Sequence, residues 1–272
     1  MALAIVPKYR KLIEVNKRVE TSTTRCDEAT TAQVAEGNFG QSGVFNWLGV
    51  LKVQSYDNKK VTTALTGIVL VTAKHVLANA DDVVRIPRHL FESNTKAMFL
   101  PAKGVEWTAA AKSYSTHPEY EYTTVNTIAI VELDVEDVTD FPLNPICLPS
   151  PSSSAPHQSS KFLYLTGFTD ENRVLQKLPT RNSQPTSYVC GYATRNGSTH
   201  CAWDNGMALV SNASEGVFYL LGFGVRGPGC AAPARFIDLF PFLPWIAATT
   251  TEPEEMYDAP DYGHSGEQLE PI

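Results

Sequence analysis

Short apolar runs rich in Val, Ile, Phe and Tyr recur along the chain: "VFNWLGVLKV", "LTGIVLVTA", "NTIAIVEL", "KFLYLTGF", "GMALV" and "GVFYLLGFGV". Gly, Pro, Asn and Asp separate them, a pattern that predicts strands joined by turns. One stretch, "FIDLFPFLPWIAAT", predicts a helix near the end, with Pro244 suited to an early helical position. Many short strands with almost no helical repeat argue for antiparallel barrels or a sandwich. The Ser/Pro-rich stretch "LPSPSSSAPHQSS" has no hydrophobic pattern and reads as a joint between two halves of one body.

With 272 residues there is ample material for a core, and 43% apolar against 19% charged residues is ordinary for a globular protein. No apolar run approaches the roughly eighteen residues of a membrane span. The net charge of −7 sits in the tail, where Glu252, Glu254, Glu255, Asp258, Asp261, Glu267 and Glu270 face no Lys or Arg. Without those seven the body holds 22 acidic and 22 basic residues, so it has no general attraction for nucleic acid. The tail, residues 250–272, is poor in aliphatic residues and broken by prolines, so disorder is expected. Tyr257 and Tyr262 stand among its acids as candidates for sulfation, which would suit docking on a basic surface.

Several blocks fall in the order of one family. "GVFNWLGVL" is similar to Gly-x-Phe-Pro-Trp, with Asn46 for the proline, and "VTAKHV" to Thr-Ala-Ala-His-Cys. "HPEYEYTTVNTIAIVEL" resembles His-Pro-x-Tyr running into Asn-Asp-Ile-Ala-Leu, and "NPICLP" a Pro-Ile-Cys-Leu-Pro joint. "LTGFT", "GFGVRGPGC" and "FLPWI" follow in sequence. Together these blocks resemble the trypsin-like, chymotrypsin-fold serine proteases. The resemblance implies an all-β fold of two antiparallel six-stranded barrels with a short C-terminal helix. It implies an N-terminal extension over residues 1–33, a protease body over 34–249 with its barrels joined near 141–160, and the tail.

The resemblance also sets expectations for the site. It puts His75 at the general base, Thr127 at the orienting aspartate and Asn205, in "CAWDNGMALV", at the nucleophile. An amide cannot become an attacking oxygen, and loss of the serine alone typically removes about six orders of magnitude of turnover. Thr127 cannot stabilise an imidazolium as a carboxylate does. Trp203 stands at an oxyanion-hole glycine, a donor worth about 3 kcal/mol. Thr199 falls on the floor of the specificity pocket and Arg226 on its wall, so the pocket is not trypsin-like. No second His or Cys lies at ligand spacing near His75, so neither metal nor cofactor is expected. The activation site falls after Gln33, where a trypsin-like activator does not cut, although Asp204 is present to receive a freed terminus.

By the same resemblance Cys26 bridges to Cys147 and Cys201 to Cys230. Cys190 lacks its customary partner and is either a buried thiol or an intermolecular link. Cysteines used this way fit an oxidising compartment, where Asn196 and Asn212 are glycosylation acceptors. The leading expectation is a secreted, inactive serine protease homolog that binds extracellular proteins. It resembles the invertebrate homologs that serve protease cascades of immunity and clotting, with proteases or their substrates as partners. The alternatives are an active protease with a displaced nucleophile, Ser198 or Ser211, and a structural component of a secretion. Oligomeric state is left open.

Overall fold

A computed structural model of the chain describes residues 39–41, 45–57, 60–99, 106–123, 125–136, 142–149, 163–168, 173–178, 188–190, 206–214, 217–224 and 235–251. The element order is β1 Phe39–Gln41, β2 Leu48–Asp57, β3 Lys60–Thr72, β4 His75–Asn79, α1 Ala80–Val84, α2 Arg88–Asn94, β5 Thr95–Phe99, β6 Trp107–Thr116 and β7 Ile128–Leu133. It continues with β8 Leu163–Phe168, β9 Arg173–Leu178, β10 Tyr188–Cys190, β11 Ala208–Ser214, β12 Val217–Gly224, β13 Arg235–Asp238, a single 3-10 turn Phe240–Phe242 and α3 Leu243–Thr250.

The β-branched runs pair as antiparallel neighbours and close a six-stranded barrel in the order β2-β3-β4-β7-β6-β5. Residues 66–71, 76–80 and 128–131 are buried at every position, so these parts of β3, β4 and β7 are covered on the outside as well as the inside. That is why their sequences read as continuous apolar runs instead of alternating. The second half departs from the expected six-stranded barrel. Among the described residues it is a seven-stranded sheet ordered β1-β9-β8-β11-β12-β13-β10, and β1, which precedes the whole first barrel in sequence, supplies its edge. No pairing between β1 and β10 closes it among the described residues.

The halves share one core. Phe45 packs its ring against Trp47 at 4.8 Å and Phe218 at 5.1 Å, and Tyr164 meets Phe218 at 5.7 Å, which links the entry to β2 with β8 and β12. Burying rings of this size is the largest apolar contribution a contact of this kind can make. The segment Leu143–Cys147 runs between the halves. The Ile146 N–H donates to Leu70 O at 3.0 Å, while the neighbouring Cys147 C=O accepts from Leu220 N at 3.0 Å. Cys147 is disulfide-bonded. Its expected partner, Cys26, lies outside the described residues, as do Cys201 and Cys230.

Two helices in the first half were not expected from the sequence. α1 is capped by Asn79, whose Oδ1 accepts from Asp81 N at 2.9 Å, with Asp81 and Asp82 in its first turn. α2 follows Pro87 and buries Phe91 against Tyr114 at 4.8 Å. The C-terminal helix is α3, with Pro244 in its first turn as anticipated; the "FID" ahead of it belongs to β13.

α3 docks on the first half through His117, whose ring meets Phe242 at 5.1 Å and Trp245 at 5.3 Å. Burial lowers the pKa of His117, partly opposed by the charge of Glu119. The folded chain therefore holds this proton less readily than the unfolded one. The stabilisation is complete above the ordinary histidine range near 6.5 and is lost as pH falls towards the lower folded value. Melting midpoints should drop between pH 7.5 and 5 more steeply for the wild type than for His117→Gln, which does not titrate there.

Candidate functional site

The pairing of β4 with β7 fixes which side chains can meet. His75 lies opposite Glu132, Val76 opposite Val131, and Asn79 opposite Ile128. One residue on, Ala80 N–H donates to Thr127 O at 3.1 Å. His75 and Thr127 therefore stand at opposite ends of the strand pair. Five residues of strand put them about 16 Å apart. The residues expected as base and orienting partner, His75 and Thr127, are therefore not brought together.

His75 instead closes the β3–β4 turn. Its Nδ1 is 2.8 Å from Thr72 Oγ1, and that same oxygen accepts from Lys74 N at 3.2 Å. The threonine hydroxyl thus ties the imidazole and the backbone of the turn together. Across the strand Glu132 bonds Lys112 Nζ at 2.7 Å and Ser113 Oγ at 2.9 Å. The hydrogen bond from Lys112 lowers the Glu132 pKa most, burial opposes it, and Ser113, the Lys112 charge and the His75 charge assist.

The side chain that follows β4 into the region of Thr127 is that of Asp81. A general base must hydrogen-bond the group that orients it. The register places Ala80–Asp81, and not His75, level with Thr127. The four residues that reach this level are Ala78-Asn79-Ala80-Asp81, whereas the sequence resemblance pointed to "VTAKH". The missed sequence signal is the Asn79 cap ahead of two aspartates, which marks the turn out of the strand.

Asp81 is 3% exposed and is bonded to a loop, not poised for proton transfer. Its Oδ1 accepts from Tyr120 Oη–H at 2.6 Å and from Thr123 N at 2.9 Å. The loop is a tight hairpin, with Glu121 N to Val125 O at 2.9 Å and the reciprocal bond at 3.2 Å. Thr123 and Asn126 hold left-handed backbone at φ 62° and 51°. Such conformations are strained outside glycine and persist where surroundings enforce them. Burial raises the Tyr120 pKa far above its ordinary value, and the bond to Asp81 adds to this. Beside the loop Arg85 donates to Tyr122 Oη at 3.1 and 3.2 Å, which raises the arginine pKa.

The region beside Asp81 is also where the end of the "CAWDNG" stretch is anchored. Gly206, at φ 79°, has its N–H on Gly224 O at 3.2 Å and lies against the backbone of Gly67. The next residue back, Thr66, donates to Asp82 Oδ2 at 2.8 Å. The chain following position 205 and the turn carrying Asp81 therefore meet at one place on β3, five residues from Thr72.

Thr199, Trp203, Asn205, Arg226, Asn196, Tyr257, Tyr262 and Ser198 lie outside the described residues. Cys190 falls on β10 opposite Arg235, and Asn212 on β11 opposite Phe218. Ser211 is fully buried on β11, paired with Tyr219 and Leu163, its hydroxyl without a hydrogen-bond partner. It therefore has no access to His75 and is excluded as a displaced nucleophile. Among the described residues no group of His, Cys, Asp and Glu could hold a metal ion, and no helix is long and apolar enough to cross a membrane.

Residues 34–246 match the trypsin family. The chain belongs to that family of serine proteases and their relatives. No curated protein matches it.

Proposed function

We propose that this chain is a non-catalytic member of the trypsin family, secreted and acting by binding extracellular proteins, among them proteases or their substrates. The observation that carries the reading is the pairing of Asp81 with the Tyr120 loop beside Thr127: level with the threonine there is a loop-bound carboxylate and no imidazole, while His75 lies about 16 Å away along the strands. The amide of Asn205 at the nucleophile position supports it from the sequence. The disulfide at Cys147 supports an oxidising compartment. A body of this family suits the task because its loops present a rigid, varied surface.

The second reading is a protease with a displaced nucleophile, and the 2.8 Å approach of Thr72 Oγ1 to His75 Nδ1 is what favours it. The hydroxyl is nonetheless tied to Lys74 N–H within its own turn, a local backbone-capping arrangement. Incubation with a fluorophosphonate probe tests both readings. No label above a heat-denatured control is expected, and His75→Ala should change nothing. Labelling that maps to Thr72 and disappears in His75→Ala would establish an enzyme.

A further inference from the structure

Beyond the barrel proper, β2 and β3 continue as a two-stranded ribbon. β2 pairs with β5 only from Gly49 to Val53, and β3 pairs with β4 only from Val69 onward, yet β2 and β3 pair with each other from Leu48–Val69 out to Asp57–Lys60. Over Val61–Leu65 no described strand lies beside β3 on the side away from β2. All five of these residues are exposed, with Val61 at 51% and Leu65 at 50%.

Edge strands of monomeric proteins are normally protected by a charge, a proline or a bulge. β3 has none of these here: no charged residue or proline occurs from Val61 to Thr72, and its register with β2 is unbroken. The edge is also self-complementary. Successive side chains alternate between faces, so Val61, Thr63 and Leu65 share one. Two copies of the strand laid antiparallel about Thr63 set Thr63 against Thr63, Val61 against Leu65 and Leu65 against Val61. Both exposed aliphatic side chains then find aliphatic partners, a threonine pair lies at the centre, and no like charges oppose. Thr62 and Ala64 point to the other face and take no part. Any other register leaves an aliphatic side chain opposite a threonine or beyond the end of the strand.

We propose that the Val61–Leu65 edge of β3 is a self-association surface, joining two copies of this chain about a two-fold axis through Thr63 into a continuous four-stranded sheet, β2-β3-β3-β2. The contact is isologous, so it closes at the dimer and does not propagate. One strand pair is small beside a standard interface, so the dimer is concentration-dependent. This inference is independent of catalytic competence.

Light scattering after size exclusion should show the mass rising from 29.8 kDa towards twice that value as concentration approaches about 1 mM. Thr63→Lys, which sets two ammonium groups face to face, should hold the mass at that of one chain while leaving the melting midpoint unchanged. Thr63→Cys should form a covalent dimer under mild oxidation, above the wild-type background, because position 63 meets its own copy. Val61→Cys should not, because position 61 meets position 65. A wild type that stays monomeric throughout overturns the proposal. So does a Thr63→Lys chain that dimerises like the wild type, or a Val61→Cys chain that cross-links as readily as Thr63→Cys.

Discussion

Gly206→Ala should lower the melting midpoint by about 10 °C or leave the chain unable to fold. Two effects add. Gly206 holds φ at 79°, where a side chain costs about 1–2 kcal/mol. A Cβ there would also fall on the carbonyl and Cα of Gly67. Those atoms are backbone within β3, immediately before the fully buried Ile68, Val69 and Leu70, so they cannot move aside as a flexible side chain would. Overpacking of a rigid core typically costs about 1–3 kcal/mol, and a backbone clash belongs at the upper end. The sum is about 3–5 kcal/mol, against a total of about 5–15 kcal/mol for a domain and about 2–4 °C per kcal/mol at this size. A midpoint within a degree or two of wild type by differential scanning calorimetry would mean that the two backbones are not in contact.

Asp81→Ala is the second large effect. The buried carboxylate accepts from Tyr120 and Thr123, and hydrogen bonds to charged groups are worth about 1.5–3 kcal/mol each. Removing the acceptor strands a half-buried phenol and an amide held in left-handed backbone, so a loss of about 3–5 kcal/mol is expected in denaturant unfolding. Asp81→Asn keeps an oxygen in the same place and should cost less, but it removes the negative charge beside the phenol. In that variant Tyr120 should ionise at lower pH in an ultraviolet titration, though still above an exposed tyrosine because burial, the larger cause, persists. If Asp81→Ala is as stable as the wild type, the carboxylate does not organise the loop.

Most strands were legible because β-branched runs between Gly, Pro, Asn and Asp leave little else to form. The family was legible in the order of its blocks. Register was not. "VTAKHV" has the right letters, and the flanking runs are apolar at every position, so no alternation reveals where one strand stops and the next starts. What fixes the site is a pairing between residues almost fifty positions apart, Asn79 with Ile128, which no local window contains. The histidine stands out in the sequence, whereas the residue that marks the level of Thr127 is the asparagine cap that opens α1. The loan of β1 to the second sheet was invisible for the same reason: three residues, "FGQ", carry no hint of which half they will pair with.

Consider finally the segment Leu143–Cys147, where one residue is bonded into the barrel and its neighbour into the other sheet. A single peptide unit, between Ile146 and Cys147, separates the two anchored groups, so the crossing carries little slack. Swinging the halves apart like a clamshell would strip the shared cover from Phe45, Tyr164 and Phe218, so the closed arrangement is the one that keeps these rings out of water.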